Sequence, residues 1–238
     1  MLEDAIEEVL GKHPKDSGRL SPVADYAKAE LSRLGLPSSS DDATCELRGG
    51  TGGELTVSGL ARAKDWDVAF DFAGKPRLLL SLKSIWSNAS GAIPNRLDDL
   101  MGEAANVQQR LPEVVIGYIL LFETSADSHR KADGRLWSKE FESAVERIAV
   151  RRFPLWNQGL LESAWFVRFD ESAPKRSRVI RPASTAAAGR KFFESLLCEL
   201  KLREPAVPFT KPIDCSGLGA AVRPDPHQTE LEPPSETG

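Results

Sequence analysis

The chain has 238 residues, a net charge of −4 and a hydrophobic fraction of 41%. This length suits one large domain, or one domain with appendages, and the apolar fraction excludes a fully disordered chain. The negative charge excludes a uniformly basic nucleic-acid coat, although it leaves room for a local basic surface. The longest apolar run, around 114–122, is much shorter than the ~20 residues of a membrane-spanning helix. The acidic start of the chain also lacks the basic region of a signal peptide.

The number and spacing of the cysteines do not predict disulfide bonds. Cys45, Cys198 and Cys215 are odd in number, far apart in sequence and include no Cys-x-x-Cys pair. A disulfide framework or a zinc site is therefore not expected, and the pattern is typical of a cytoplasmic protein with reduced thiols. The three histidines show no spacing typical of metal ligands either.

The N-terminal part of the chain predicts two helices and then a region of short strands. Residues 2–10 carry an apolar stripe at helical spacing. A second helix is predicted over 21–34, with Ser21 as its N-cap and a proline directly after it. Two possible short strands, 44–47 and 55–58, are separated by a glycine-rich turn.

The central block of the chain, from 66 to 122, has the clearest pattern. Strands are predicted over 66–72 and 77–85, joined by a tight Gly-Lys-Pro turn. A helix is predicted over 95–111, and 114–122 is a nearly continuous apolar run of the kind found in strands buried on both faces. Two strands, a helix and a buried strand in this order predict an α/β domain.

The C-terminal part predicts two more helices, over 137–150 and 189–202, and a strand over 165–169. From about residue 211 the composition changes to Pro, Glu, Thr and Gly. Such a segment buries too little apolar surface to order itself. We therefore expect a folded domain over 1–210 and a disordered tail over 211–238.

Charge is distributed unevenly along the chain. Between residues 128 and 191 there are 14 lysines and arginines against 7 acids, a net charge of +7, so the remainder carries −11. A basic half on an acidic chain suits a phosphate-binding surface opposite a carboxylate-rich pocket, and the alternative is an ordinary solvated charged face. The candidate phosphate contacts are Lys175, Arg176, Arg178 and Arg181, with a solvated loop as the equal alternative.

One acid and a Ser-x-Lys pair form the chemically most informative group. Asp67 lies near the start of one predicted strand, and Ser81 and Lys83 share a face of the next because they are two residues apart. The tight turn between the strands allows Asp67 to lie beside that pair. An acid on one strand and an acid-x-Lys pair on its hairpin partner form the minimal arrangement of a metal-dependent nuclease, in which carboxylates hold Mg²⁺ and the lysine lies near the attacking water and the scissile phosphate. The alternative is that all three are surface residues of an unrelated α/β protein.

The segment 54–123 resembles the PD-(D/E)xK nucleases, and among them the type II restriction endonucleases. Asp67 matches the first acid of the family motif, and Lys83 matches its lysine. The chain departs from the motif at Trp66, where the family has proline, and at Ser81, where the family has the second acid. The resemblance implies a restriction-endonuclease-like fold, a mixed β-sheet flanked by helices, with 54–123 as the catalytic core.

A branch of restriction enzymes similar to this chain has Ser-x-Lys on that strand and takes the missing acid from the following helix. Glu103 is the first candidate for this migrated acid, and Asp99 is the second. Like charges four residues apart destabilise a helix unless a cation lies between them, and the alternative is an exposed polar helix face. The family often adds an acid from an early helix, which makes Glu30 a further candidate metal ligand.

The resemblance implies Mg²⁺-dependent hydrolysis of DNA, with Mn²⁺ as a substitute ion, in a restriction or related defence system. Asp67 and Glu103 would hold the metal, Lys83 would orient water and stabilise charge, and Ser81 would support the site by hydrogen bonding. Since each site cuts one strand, double-strand cleavage implies a homodimer, so the expected partners are DNA and a second copy, without a membrane. The alternative is a catalytically inactive DNA-binding module of the same fold, in which Ser81 marks the lost acid.

Overall fold

A five-stranded mixed sheet separates two helical layers in the computed structural model, which describes residues 1–13, 16–154 and 159–216. These residues form the strands β1 (Cys45–Gly49), β2 (Leu55–Ser58), β3 (Ala63–Trp66), β4 (Val68–Phe72), β5 (Lys75–Ile85), β6 (Val115–Glu123) and β7 (Ser163–Phe169). The helices are α1 (Leu2–Gly11), α2 (Ser21–Arg33), α3 (Ala89–Gln108), α4 (Trp137–Ile148) and α5 (Pro182–Arg203). The predicted α/β class is therefore confirmed.

The main sheet has the strand order β1-β4-β5-β6-β7, and β2 pairs with β3 in a separate two-stranded sheet. In the main sheet, β4 pairs antiparallel with β1 and with β5, and β6 pairs parallel with β5 and with β7. The chain passes from β5 to β6 through α3 and from β6 to β7 through α4, because parallel neighbours require a crossover connection. Every residue of β6 is buried, as its continuous apolar sequence predicts.

Side-chain alternation along β5 divides its residues between the two layers. Leu78, Leu80 and Leu82 join the apolar cluster formed with α1, α2 and α5. Leu79 joins the cluster formed with α3, α4 and the small sheet. Ser81 and Lys83 have the parity of Leu79, so their polar side chains face the α3 layer.

Two helices begin earlier than the sequence predicts. α3 starts at Ala89 because the side-chain oxygen of Asn88 accepts a hydrogen bond from the Gly91 N–H and so caps the helix. Pro94 removes only one donor and does not end the helix. α5 starts at Pro182, since proline is favoured in the first turn and the alanine-rich sequence that follows has high helix propensity.

The strands around the glycine-rich turn differ most from the prediction. The predicted strand 66–72 is divided at Asp67, where β3 ends and β4 begins, and β1 and β2 lie in different sheets. Gly49 has φ 136°, and a Cβ at this position would collide with the carbonyl oxygen of Asp67. The N–H of Gly50 also donates to that oxygen at 3.3 Å. The turn therefore packs directly against the backbone at Asp67 and requires glycine to do so.

The first residues of the predicted tail are packed against the domain. Thr210 N–H donates to the Gly35 carbonyl at 2.9 Å, and the Lys211 ammonium donates to the Arg33 carbonyl at 2.7 Å. This return along α5 brings Cys198 and Cys215 to a Cα separation of 5.5 Å, and they form a disulfide. The prediction of unpaired thiols was wrong for these two cysteines, because the return of the chain is not visible in their spacing. The remaining predicted tail, 217–238, lies outside the described residues.

The helices were compared with the length and hydropathy of membrane-spanning helices. In the part of the chain that the structure describes, no helix combines the length and apolar character that crossing a bilayer demands.

Candidate active site

Asp67 lies at the bend between β3 and β4, beside the middle of β5. Val68 pairs with Leu80, and the backbone N–H of Leu82 donates a 2.7 Å hydrogen bond to Oδ2 of Asp67. The structure therefore brings Asp67 beside Ser81 and Lys83, the arrangement that the two strands and their turn predict.

Burial and nearby charges act in opposite directions on Asp67. Burial raises the pKa of its carboxyl, while the hydrogen bond from Leu82 and the positive charges of Lys64 and Lys83 lower it. Burial is the larger effect, so the pKa lies above its usual value. Among the described residues no hydrogen-bond donor reaches Oδ1 of Asp67. One oxygen of a partly buried carboxylate is thus left for a further partner.

Glu103 points from α3 toward the same face of β5. Its Oε1 lies 3.4 Å from Nζ of Lys83, and its Oε2 lies 3.4 Å from the Ser81 hydroxyl, which donates to it. The carboxylate is only 11% exposed, so it does not belong to a solvated helix face. The structure places Glu103 at the serine of the Ser-x-Lys pair, which is where the resemblance to restriction enzymes implies a migrated acid.

Lys64 is a member of the site that sequence reasoning missed. Its Nζ lies 2.7 Å from Oε2 of Glu103 and 3.3 Å from the Ser81 hydroxyl, and 4.5 Å from the ring centre of Trp66. Lys64 and Trp66 share a strand face because they are two residues apart, which was the only signal available in the sequence. Since 66–72 was predicted as one strand, the bend at Asp67 that brings Lys64 to β5 was not foreseen.

The two lysines repel each other across Glu103. Burial lowers the pKa of Lys64, and the charge of Lys83 lowers it further, while Glu103 and Asp67 raise it. Two carboxylates therefore face two ammonium groups in a confined volume, and Glu103 contacts both cations. This arrangement balances charge within the site without any external ion.

A buried tyrosine closes the site on the β6 side. Tyr118 pairs with Ser81 in the register of β5 and β6 and is fully buried. Burial raises the pKa of its phenol, as do the charges of Glu103, Asp99 and Asp67. None of the described residues is a hydrogen-bond partner of its hydroxyl. Tyr118 therefore remains neutral at ordinary pH and keeps an unused polar group on the strand next to Ser81.

The donor atoms of the site suit a hard divalent cation. Asp67, Glu103 and Ser81 offer only oxygen, and Asp67 has an oxygen without a hydrogen bond. Within residues 1–13, 16–154 and 159–216 no group of three or more His, Cys, Asp or Glu side chains could hold a metal ion. Mg²⁺ is commonly bound by one or two carboxylates, with water and substrate phosphate completing its shell. A site of two carboxylates fits that ion and does not fit a fully protein-ligated metal such as structural zinc.

The two other predicted metal ligands have different surroundings. Glu30 forms a 2.8 Å ion pair with Arg33 on α2, a helix whose apolar side packs on the opposite face of the sheet from Ser81. Asp99 lies on α3 with Glu103, but its carboxylate pairs with Arg96 at 3.0 Å. The structure therefore does not bring Glu30 to the Ser-x-Lys pair, and it leaves Asp99 engaged by an arginine.

The predicted phosphate contacts lie in the loop between β7 and α5. Lys175, Arg176 and Arg181 are exposed. Arg178 instead forms a 3.2 Å ion pair with Glu7 of α1, which also accepts a hydrogen bond from the backbone N–H of Arg176. Three of the four basic side chains are thus available to a ligand, while Arg178 holds the loop against α1.

Comparison with known proteins identifies no relative of the chain. No protein-family model, no curated protein and no solved structure matches the chain. The functional interpretation consequently depends on the residues and geometry of the site.

Proposed function

We propose that the chain is a Mg²⁺-dependent endonuclease with a restriction-endonuclease-like fold that hydrolyses DNA phosphodiester bonds in a restriction or related defence system. The observation that carries the proposal is the convergence of Asp67 from the β3–β4 bend and Glu103 from α3 on the face of β5 that presents Ser81 and Lys83. Asp67 also keeps one oxygen that no donor among the described residues reaches, so the ion pairs of the site leave it free for a further positive ligand.

The protein groups have distinct roles in the proposed reaction. Asp67 and Glu103 hold the ion, and the hydrogen bond from Leu82 keeps the Asp67 carboxylate fixed. When bound, Mg²⁺ supplies a water of lowered pKa and neutralises charge at the phosphate. Lys83 orients the attacking water and stabilises the negative charge that develops on the phosphate oxygens. Ser81 donates to Glu103 and keeps that carboxylate against the strand.

The proposed reaction is a hydrolysis and needs no further co-reactant. The water oxygen bonds to phosphorus and loses a proton, while one bridging P–O bond breaks and its oxygen leaves and gains a proton. The exposed Lys175, Arg176 and Arg181 would contact the DNA backbone, since phosphate contacts position a duplex without reading its sequence. A homodimer would supply one site to each strand.

Plasmid cleavage tests the proposal. Supercoiled plasmid is incubated with Mg²⁺ or Mn²⁺ and with the wild-type chain, Asp67→Ala, Lys83→Ala or the control Asp98→Ala, which changes an exposed acid on α3. Cutting by the wild type and the control but by neither site variant supports the proposal. Equal cutting by all four proteins contradicts the site. Binding of DNA without cutting by the wild type would favour the inactive DNA-binding module.

A further inference from the structure

We propose that Lys64 is a second catalytic lysine, which contacts the scissile phosphate during cleavage and pairs with Glu103 while no divalent ion is bound. The inference rests on the proposed nuclease function and deepens it. The resemblance to the restriction enzymes assigns one lysine to the site, Lys83, and assigns nothing to position 64.

The surroundings of Lys64 are those of an active-site residue rather than of a surface lysine. Its side chain is 13% exposed, and its ammonium lies between the Glu103 carboxylate and the Ser81 hydroxyl, next to the Trp66 ring. Burial of a lysine costs free energy, and replacing a buried ion pair by apolar residues is often neutral or stabilising. Stability alone therefore does not explain a lysine at this position.

A separate anchor holds the strand that carries Lys64 against α3. The side chain of Asn106, one turn after Glu103 on α3, accepts a 2.8 Å hydrogen bond from the Ala61 N–H and donates one of 2.8 Å to the Arg62 carbonyl. These bonds hold the turn between β2 and β3 against α3. β3 then places the backbone of Lys64 over the site, while its side chain stays free to turn.

The charge balance of the site indicates what Lys64 does when a divalent ion is bound. When all four groups are ionised, two carboxylates and two ammonium groups sum to zero, so a bound divalent ion brings the charge of the site to +2. A phosphodiester with an attacking hydroxide carries −2, which matches that charge. Without Lys64 the ion-bound site would carry only +1, which would not fully neutralise the charge of −2 in the transition state.

The ammonium of Lys64 lies 2.7 Å from Oε2 of Glu103, so a divalent ion bound to that carboxylate would stand close to a positive charge. An ion at Glu103 would repel the Lys64 ammonium, whose four-carbon stem lets it turn toward another anion. Lys64 and Lys83 lie on the two oxygens of one carboxylate, so a phosphate that reaches Lys83 is also close to Lys64. The displaced ammonium then acts on the phosphate.

This account predicts opposite effects on ion binding and on cleavage. In Lys64→Met the ammonium that competes for Glu103 is removed, and Ca²⁺ should bind about fivefold to tenfold more tightly, measured from the rise of the melting temperature over a Ca²⁺ titration. In the same variant the kcat for plasmid nicking with Mg²⁺ should fall about 100-fold or more. Lys64→Arg, which keeps the charge, should recover part of that loss. Lys75→Met, at the exposed first residue of β5, is the matched control and should behave as the wild type.

Two results would overturn the inference while leaving the proposed function intact. Wild-type kcat in Lys64→Met would show that the lysine does not act on the phosphate. Weaker Ca²⁺ binding together with slower cleavage, neither recovered by arginine, would show that Lys64 only supports the fold around Glu103. Absence of cleavage by the wild-type chain would instead contradict the proposed function, and the role of Lys64 with it.

Discussion

Oε1 of Glu103 lies 3.4 Å from Nζ of Lys83, although the two residues belong to different elements, α3 and β5. The contact forms because α3 crosses back over the sheet toward β6 and turns its polar side to the strand it has just left. It joins the lysine of the Ser-x-Lys pair to an acid that the strand itself lacks.

Removing the charge of Glu103 should abolish cleavage without unfolding the chain. Glu103→Gln keeps the shape of the side chain but weakens the hold on Mg²⁺, so we expect nicking to slow by about 100-fold or more. The initial rate of plasmid nicking measures this effect, and circular dichroism verifies the fold. Asp98→Asn on the same helix is the control and should cut normally. A Glu103→Gln variant with a wild-type rate would remove Glu103 from the site.

Neutralising Asp67 should stabilise the ion-free protein at neutral pH. Burial holds the pKa of Asp67 above its usual value of 3.8, so the folded chain binds this proton more readily than the unfolded chain does. Stability contributed by Asp67 therefore increases as the pH falls through its raised folded pKa, and it is lowest at neutral pH. Asp67→Asn should melt above the wild type at pH 7, and the difference should narrow as the pH approaches 4. Chemical denaturation across this range measures it, and a variant less stable than the wild type at pH 7 would contradict the pKa direction.

Divalent ions should stabilise the wild-type chain. Saturation at about 100 times the dissociation constant contributes ~2.7 kcal/mol, which raises the melting temperature of a domain of this size by about 5–10 °C. Differential scanning fluorimetry with Ca²⁺ or Mg²⁺, against NaCl of equal ionic strength, measures the shift. The shift should disappear in Asp67→Asn and Glu103→Gln. An equal shift in both variants would place the ion elsewhere.

The basic loop before α5 should separate into binding and structural residues. Lys175→Ala with Arg176→Ala should weaken DNA binding at every sequence and reduce the salt slope of the affinity by about 2, because two phosphate contacts are lost. Arg178→Ala should instead lower stability, since Arg178 is held by Glu7. Fluorescence anisotropy over a salt series and thermal melting distinguish the two effects. An unchanged salt slope in the double variant would exclude this loop from the DNA contact.

The Cys198–Cys215 disulfide should stabilise the domain without affecting the site. It closes a loop with a sequence separation of 17 residues, for which the loop-entropy estimate is about 3 kcal/mol. Cys215→Ser should therefore lower the denaturation midpoint, and dithiothreitol should destabilise the wild type but not the variant. Nicking rates of the two proteins should agree. Free thiols at both positions in the purified native protein would contradict the pairing.

The parts of the fold that depend on local pattern were predictable. The predicted strands 77–85 and 114–122 lie within two residues of β5 and β6, and Asp67 meets Ser81 and Lys83 because a short hairpin joins their strands. Long-range features were not predictable in this way. Lys64 reaches the site only through the bend at Asp67, and the two cysteines meet only because the chain returns along α5.

The early helix illustrates how a residue type can be predicted and its direction missed. Glu30 was expected to extend the metal site, yet it pairs with Arg33. Asp25 and Lys28 of the same helix instead contact the glycine-rich turn, accepting from the Thr51 N–H and donating to the Gly49 carbonyl. Helical periodicity shows which residues share a face, but only packing shows which structure that face meets.

A crystal of the wild-type chain soaked in Mn²⁺ tests the central claim most directly. We predict one anomalous peak at bonding distance from carboxylate oxygens of both Asp67 and Glu103, with the Lys64 ammonium moved away from Glu103. A crystal at saturating Mn²⁺ without density between these carboxylates, and with the Lys64–Glu103 ion pair intact, would contradict the account.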